Sequence, residues 1–371
     1  MNAVKRILVG MSGGVDSAVS VLLLREQGYE VGGATMLLQS CGFAEAEDAR
    51  RSAQVLGIEF HVFDWQKEFR SQVIEPFEQV YIQGGTPNPC VLCNKTLKFG
   101  KFLDQALELG YDGVATGHYA RVREENGRFL LYTAQDQAKD QTYMLYHLSQ
   151  RQLAHAVFPM GDFTKEQARA KAGLAGLPVA SKHDSQDICF IPDGDYLAFL
   201  QRDGVTPQPG RFIGPDGRDL GPHKGLEAYT IGQRRGLEVA YGSRIYVVQK
   251  RGTDVLLGPN EALFSTRVQV SDVNFIPFDR LDAPIRAEAK LRYTPTTAPC
   301  TIHPAEHGVV LEFDQPQRAV TPGQAAVFYD GELVLGGGTI TCDTEQLHFL
   351  RFSFILKNSI FRWRMDHCCA F

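Results

Sequence analysis

The chain has 371 residues, of which 44% are hydrophobic and 22% charged, and its formal net charge is −5. That length exceeds one ordinary core and predicts two or three domains, while the acidic balance excludes indiscriminate nucleic-acid binding, which needs a broad excess of Lys and Arg, without excluding a local basic groove. The apolar run after MNAVKR is too short for a signal peptide or a membrane span, which predicts a cytoplasmic protein with no membrane partner, and eight cysteines there read as reduced, reactive or metal-bound thiols.

In chain order, Lys5 to Gly10 reads as a strand, followed by a glycine turn and a buried helix from Ala18 to Arg25. Strands at Glu30 to Leu38 and Phe60 to Trp65 then alternate with helices at Ala44 to Leu56 and Phe69 to Tyr81. That alternation predicts an α/β fold with a doubly wound parallel sheet. Two prolines in the turn-rich GGTPNPCVLCN, Gly84 to Asn94, argue for a loop there, with a helix only from Thr96 to Leu109. A strand at Gly113 to His118 and polar, aromatic segments up to Ser181 to Pro192 complete a first domain, 1–195. A small central domain, 196–264, is Gly- and Pro-rich with a strand at Arg244 to Gln249. Alternating strands at Arg286 to Tyr293, Gly308 to Phe313 and Ala325 to Tyr329 predict a C-terminal β-barrel over 265–343. The tail, 344–371, changes abruptly to aromatic and basic residues and reads as a lineage-specific helix or a reading-frame artefact.

The segment GMSGGVDS, Gly10 to Ser17, sits where the first strand meets the first helix, a place where glycine turns and helix N-termini bind phosphate. Gly13 and Gly14 let the backbone approach an anion, Ser12 and Ser17 offer hydroxyls, and Asp16 either orients the turn or helps hold Mg²⁺. No Gly-Lys-Ser/Thr follows, so it is not a Walker A loop, and a tight turn without a ligand is the plain alternative. The SGGVDS string resembles the pyrophosphate loop of the adenylating ATP pyrophosphatases, which include GMP synthetases, argininosuccinate synthetases and tRNA thiolases. The resemblance implies ATP and Mg²⁺ as cofactors, cleavage of ATP to AMP and pyrophosphate, and a nucleotide site made of Gly10, Met11, Ser12, Gly13, Gly14, Val15, Asp16 and Ser17. It also implies adenosine contacts at Met36 and Gly117, both at carboxyl ends of predicted strands, where doubly wound sheets bind ligands.

Cys90 and Cys93 form a Cys-x-x-Cys, and Cys189 lies in SKHDSQDICFIP. A zinc site would need a fourth ligand such as His118 or His183, and buried inert thiols are the second plain alternative. Cys41, Cys300 and Cys342 read as structural, and Cys368 and Cys369 belong to the tail. Taken together, GMSGGVDS, TPNPCVLCNKTLKF, ATGHYAR, AKDQTYMLY, SKHDSQDICFIP and YTIGQRRGL resemble the bacterial tRNA-specific 2-thiouridylases, in order through residues 5 to 343.

That resemblance implies adenylation of an anticodon wobble uridine at O2 and its conversion to 2-thiouridine, with Cys93 as nucleophile and Cys189 as the persulfide carrier. It implies contact with the target base at Asn88, Pro89 and Cys90, and with tRNA at His118, Lys139, Asp140, Gln141, Arg292, Tyr293 and Gln324. The implied partners are tRNAs for Lys, Glu and Gln and a cysteine desulfurase or sulfur-relay protein. Cys90 stands where many members carry an Asp that is a candidate general acid/base, so that role falls to another residue or to the Cys90 thiol. Cys90, Cys93 and Cys189 could alternatively ligate a [4Fe–4S] cluster with one iron open to sulfide. The adjacent arginines of QRRG, Gln233 to Gly236, suit phosphate contact or a solvated turn. Two other readings are a small-molecule adenylating synthetase, which would release AMP without tRNA, and a metal-stapled RNA-binding or redox-sensing protein, against which the intact phosphate loop argues.

Overall fold

The computed structural model describes residues 5–39, 42–180, 182 and 188–341. The expectations for Cys41, His183, Cys342, Cys368, Cys369 and the tail 344–371 lie outside the described residues.

Seven strands belong to the N-terminal unit: β1 (Arg6–Gly10), β2 (Glu30–Leu37), β3 (Phe60–Asp64), β4 (Gly113–Thr116), β5 (Arg121–Glu125), β6 (Arg128–Tyr132) and β7 (Ala156–Val157). Five of them form a sheet in the order β3-β2-β1-β4-β7, with every pairing parallel. Both faces are covered, which is why β1 reads as the unbroken apolar run ILVG. Ile7 and Val9 pack with the Val15–Glu26, Phe43–Leu56 and Lys165–Leu174 helices, and Leu8 packs on the opposite side with Phe102, Leu103 and Ala106. The doubly wound α/β expectation is therefore borne out. The chain moves outward from β1 through β2 to β3 and returns to the other side of β1 as β4. The crevice at the carboxyl ends of β1 and β4 is thus the topological switch point, where such sheets bind ligands.

Two local expectations need correction. The segment expected to be a loop through Asn94 is helical from Pro89: Pro89–Leu92 runs into the π-wound Cys93–Lys101 and then into Phe102–Glu108. Pro89 occupies the first turn, where a missing N–H costs nothing, so the proline marks the start of the helix instead of forbidding it. The β5–β6 hairpin was hidden in the stretch read only as polar and aromatic. Its turn is Asn126-Gly127, both at positive φ (51° and 76°), the combination that tight hairpins favour.

The central unit carries β8 (Arg211–Ile213), β9 (Asp219–Pro222), β10 (Tyr246–Arg251) and β11 (Asp254–Gly258), around a small core that includes Phe212, Tyr229, Val247 and Leu257. The C-terminal barrel is built from β12 (Phe264–Phe275), β13 (Ile285–Lys290), β14 (Ala298–Ala305), β15 (Gly308–Arg318), β16 (Ala325–Asp330) and β17 (Leu333–Ile340). Their order is β12-β15-β14-β13-β16-β17, and β12 pairs back to β17, closing the barrel and removing its edges. β13 ends at Lys290, three residues before the expected end at Tyr293, in a segment where Pro295 has no N–H to continue a ladder. Arg292 and Tyr293 therefore leave the barrel wall.

The N-terminal unit and the barrel share one core. β6 pairs with β17 at Tyr132 and Leu333, the Tyr143 hydroxyl donates to the Ala325 carbonyl (2.8 Å), and Tyr143, Tyr146, Val327 and Tyr329 belong to the same buried cluster. No helix among the described residues is long and apolar enough to cross a membrane. A Cβ at Gly337 would lie 2.5 Å from the Ala326 carbonyl oxygen and 2.7 Å from Tyr146 Cδ2. Gly337→Ala should therefore cost about 1–3 kcal/mol by overpacking this seam and lower the thermal unfolding midpoint by several degrees; an unchanged midpoint would show that Tyr146 moves aside freely.

Candidate active site

The switch-point crevice begins at Met11, whose N–H donates to the Ala34 carbonyl (2.7 Å) and carries the pairing of β1 one residue past the strand. The chain then turns through Gly13 at φ +71°, where a Cβ would come within 2.3 Å of the Glu45 carbonyl oxygen, so only glycine fits. Gly14 caps the Val15–Glu26 helix without a side-chain hydrogen bond, which leaves first-turn N–H groups for an anion. Ser17 Oγ accepts from the Ser12 N–H (3.2 Å) and donates to the Gly14 carbonyl (3.2 Å), holding the turn. Gly10 and Val15 are part of its packed base, with Phe102 3.3 Å from where a Gly10 Cβ would lie. Met36 is half-buried near the carboxyl end of β2, one strand away.

Asp16 orients this loop. Lys165 Nζ lies 2.8 and 2.7 Å from its two carboxylate oxygens, and the Tyr119 hydroxyl donates to Oδ1 (2.9 Å). Lys165 and Tyr119 together fix the orientation of the Asp16 carboxylate. Sequence reasoning missed Lys165 and Tyr119 because neither lies in a phosphate-loop pattern. Gly117 packs against the same turn: a Cβ there would sit 2.7 Å from the Ser17 nitrogen and 2.9 Å from Asp16.

From Gly117 the wall passes to His118. Its Nδ1 is 2.7 Å from Thr116 Oγ1, and its ring packs beside Phe99 and Phe158 at centroid distances of 5.9 and 6.3 Å. Burial, aided by Lys98, holds its pKa well below the ordinary histidine value, so the imidazole is neutral at pH 7 and offers hydrogen bonds instead of charge.

Cys90, Cys93, Cys189 and Cys300 are free thiols, and Cys300 is buried inside the barrel. Cys90 and Cys93 ride on the first turns of the 89–108 helical run. Cys93 belongs to a core cluster with Phe190 and Ile191, the two residues after Cys189, so this packing draws the two cysteine segments together. Cys93 is 7% exposed and Cys90 half-buried, while Cys189 opens to solvent. Burial raises the thiol pKa of Cys90 and Cys93, and that of Cys189 is raised by the protein around it and then by the neighbouring Cys93, with its solvent-open side limiting the rise. Their common counterweight is Lys98, which favours the thiolate at all three.

Lys98 follows Cys93 by five residues, and the wider i→i+5 winding of a π-helix leaves those two positions nearer to one face than an α-helix would. The other lysines of the run are engaged, Lys95 with His147 (3.2 Å) and Lys101 with Glu68, whereas Lys98 has no hydrogen-bond or ion-pair partner among the described residues. The spacing gave no hint of it, because an α-helix would turn Lys98 away from Cys93. Among the described residues no group of three His, Cys, Asp or Glu side chains converges to hold a metal ion, so the three thiols as placed do not fit a cluster site.

The residues expected at tRNA fall in two groups. Lys139, Asp140 and Gln141 meet Tyr293 of the barrel, whose hydroxyl donates to the Asp140 carbonyl (3.1 Å). The Asp140 carboxylate is buried, accepting from the Ala134 N–H (3.1 Å) and the Thr142 hydroxyl (2.7 Å), and Gln141 Oε1 accepts from the Tyr119 N–H (3.0 Å). These two side chains hold the fold, leaving Lys139 as the cation of the tripeptide. In the second group, Gln324 Nε2 donates to the carbonyls of Thr86 (3.0 Å) and Pro87 (3.2 Å), just before Asn88 and Pro89. Asn88 Nδ2 rests 3.5 Å from Met144 Sδ. Arg292, Arg234 and Arg235 are exposed.

Residues 5–193 match the family model described as the tRNA methyl transferase HUP domain, 198–254 the tRNA methyl transferase PRC-barrel domain, and 265–340 the aminomethyltransferase beta-barrel domain. The tRNA-specific 2-thiouridylase MnmA of Acetivibrio thermocellus is 46% identical over 355 residues, covering 91% of this chain and 99% of its own length. That of Clostridium acetobutylicum is 44% identical over 352 residues, with 91% and 99% covered. Among solved structures, the U34-tRNA thiolase NcsA from Methanococcus maripaludis with its [4Fe-4S] cluster aligns over 55% of this chain and 67% of its own at 14% identity and a TM-score of 0.35.

If Lys98 is the cation that permits thiolate formation, Lys98→Met should move the pH profile of Cys189 alkylation by iodoacetamide to higher pH and slow the reaction at pH 8 by roughly three- to tenfold, with Lys98→Arg close to wild type. A profile unchanged in Lys98→Met would contradict that role.

Proposed function

The chain belongs to the tRNA-specific 2-thiouridylase family, and from that membership we propose how its residues move sulfur onto a tRNA uridine. It is a sulfurtransferase that thiolates tRNA, and its N-terminal unit binds ATP. The observation that carries the mechanistic reading is the contact chain from the phosphate loop through Gly117 and His118 to Phe99 and Lys98 on the thiol-bearing helix. It links the place where ATP would be split to the place where sulfur would be handled.

In this reading the first-turn N–H groups after Gly14 and the hydroxyls of Ser12 and Ser17 bind the ATP phosphates, Gly10 to Ser17 cradle them, and Met36 and Gly117 flank adenosine. Mg²⁺ would accompany the ATP phosphates and offset their charge, and Asp16, held by Lys165 and Tyr119, would orient the loop beside it. The flipped uridine lies beside Asn88, Pro89 and Cys90. Its O2 attacks the α-phosphorus of ATP, the bond from α-phosphorus to the bridging oxygen breaks, pyrophosphate leaves, and the N3 proton is lost to a base. We assign that acceptor to His118 Nε2, the neutral nitrogen not turned to Thr116, because Cys90 stays protonated.

A persulfide on Cys189 then adds its terminal sulfur to C2, and the C2–O bond breaks to release AMP. Attack by Cys93 on Cys189 Sγ breaks the S–S bond, freeing 2-thiouridine and leaving a Cys93–Cys189 disulfide that a cellular thiol must reduce before the next turnover. The [4Fe–4S] alternative on Cys90, Cys93 and Cys189 has less support, as the three do not converge as ligands where they stand.

We further assign ATP and sulfur chemistry to 1–195, and the grip on tRNA to 196–264 and 265–343 with His118, Lys139, Arg292, Tyr293 and Gln324 around the anticodon, the side chains of Asp140 and Gln141 holding the Lys139 to Gln141 segment in place for contact through its backbone. By family resemblance the tRNAs are those for Lys, Glu and Gln, and a cysteine desulfurase or relay protein supplies sulfur. A tRNA substrate and free thiols suit the reducing cytoplasm.

Purified anaerobically and given ATP–Mg²⁺, a tRNA(Lys) transcript and a cysteine desulfurase, the protein should form 2-thiouridine with matched AMP release. Cys189→Ser and Cys93→Ser should each lower thiolation by about a hundredfold or more, as loss of a covalent group in a concerted set does. Thiolation rising and falling with iron content would overturn the persulfide route, and AMP release without tRNA would point to a small-molecule synthetase.

A further inference from the structure

Cys189 stands at the head of a limb, residues 190–203, that lies on the helical run from Gln66 to Ile82. At the far end of this contact three acids converge on one arginine. Arg70 is 3.6 Å from Glu75 Oε1 and 3.1 and 3.2 Å from the two carboxyl oxygens of Glu78, and it also bonds to Asp203 Oδ2. We propose that Arg70, Glu78 and Asp203 are positioning residues for sulfur transfer, a proton-sensitive clasp that decides how firmly Cys189 is held against Cys93. The inference rests on the thiolation reading and adds to it a control over the sulfur-carrying segment.

The limb has one fixed point and one conditional point. Phe190, the residue after Cys189, is buried and meets the rings of Phe69, Phe77 and Phe199 at centroid distances of 5.6, 5.1 and 5.2 Å. Such edge-on and tilted ring contacts carry no titratable group and hold at any pH. Further along, the limb forms the Tyr196–Arg202 helix, which is capped by Asp203, and that residue reaches Arg70 across 133 positions of sequence. Phe190, Ile191 and Leu200 share their core cluster with Cys93. The seating of the limb therefore sets the approach of Cys189 to Cys93, whose nearness already raises the Cys189 thiol pKa.

A plain staple would need one acid for one arginine. Glu78 is instead 6% exposed, and its Oε1 is buried without a hydrogen-bond partner among the described residues. Two carboxylates buried side by side are costly unless a proton lies between them. Burial, and then the hydrogen bond to Asp203, raise the Glu78 pKa to about 7 against the opposing pull of Arg70, with the charges of Asp203 and Glu75 adding to the rise. With the proton on, Glu78 donates to Asp203 and Arg70 balances the charge that remains. With it off, all three acids crowd one guanidinium. The other charges on the packed elements are engaged elsewhere: Lys101 pairs with Glu68, Lys98 faces the thiols, and Glu227, on the central unit's turn against Glu75–Ile82, faces Lys250.

The sign follows from the direction of the shift. The Glu78 pKa in the closed clasp lies above the ordinary 4.5, so opening releases a proton. The clasp is tightest below that ordinary value, loosens as pH rises from there towards 7, and loosens no further above it.

The test needs neither ATP nor tRNA. The full-length protein is equilibrated with glutathione, where each Cys93–Cys189 disulfide formed reduces one oxidised glutathione to two thiols, and the cross-linked peptide is quantified by mass spectrometry. Glu78→Gln keeps a neutral hydrogen-bond donor at every pH. The ratio of its disulfide equilibrium constant to that of the wild type cancels the ionisation of the thiols themselves. That ratio should rise from near one at about pH 5 to roughly three- to tenfold at about pH 8. Arg70→Met should fall below the wild type at both, with Arg70→Lys recovering part of the loss. Should Glu78→Gln fold poorly, Asp203→Asn, which removes the like charge from the surface side, should flatten the same pH dependence.

In single-turnover thiolation from persulfide-loaded protein at about pH 8, Glu78→Gln should raise the transfer rate by the same factor and leave tRNA affinity unchanged. A ratio that stays at one across the pH range would overturn the clasp, and altered exchange with unaltered transfer would overturn its positioning role. A pH-dependent ratio in a protein that forms no 2-thiouridine would uphold the clasp and count against the thiolation reading alone.

Discussion

The site depends on one close approach, that of Gly117 to the first turn of the Val15–Glu26 helix. With no Cβ in the way, the end of β4 lies against Ser17 and Asp16, and the residue that follows is His118. The same contact fixes the phosphate loop against the sheet and brings the next wall of the crevice to the thiol-bearing helix through Phe99. A side chain at 117 would meet the Ser17 nitrogen and Asp16 at under 3 Å and push the end of β4 away from that turn. The parallel sheet supplies the crevice at its switch point, but this glycine sets its width.

Electrostatics then hold the site quiet. Burial keeps Cys90 and Cys93 as thiols, the thiol pKa of Cys189 is raised by its surroundings, and His118 is neutral. A thiol that does not ionise neither oxidises readily nor attacks the wrong partner. Lys98 opposes this burial at all three cysteines. The π-wound turn sets Lys98 nearer to the Cys93 side of the helix than an α-helical turn would. The barrel completes the arrangement from a distance: Gln324 ties down Thr86 and Pro87, and Tyr293 covers the Asp140 segment.

Much of this was legible in the sequence. The alternation of apolar strands and helices announced the parallel sheet, the glycine turn lies between β1 and the first helix where it was expected, and the C-terminal alternation foretold a barrel that proves closed. What was not legible follows from long-range contacts. Asp16 reads as orienting the turn or helping to hold a metal, and no local pattern points to Lys165, which reaches it from 149 residues away. Asp140 reads only as a tRNA contact, and its burial, with one oxygen taken by Ala134 and the other by Thr142, could not be seen from its neighbours in sequence. Pro89 was weighed as a breaker when its position made it an initiator, and the Asn126-Gly127 hairpin was a local signal overlooked beside stronger motifs. Lys98 was invisible because helical reasoning assumes an α-helical turn.

The most direct test of the account is to follow the sulfur atom itself. The protein would be loaded with ³⁵S by a cysteine desulfurase, freed of donor, and given ATP and tRNA in a single turnover, with the label on Cys189 and on tRNA quantified over time by mass spectrometry and counting. The account predicts label on Cys189 at the start and its passage to 2-thiouridine in step with AMP release. Label that stays on Cys189 while unlabelled sulfide from solution enters the tRNA would contradict it.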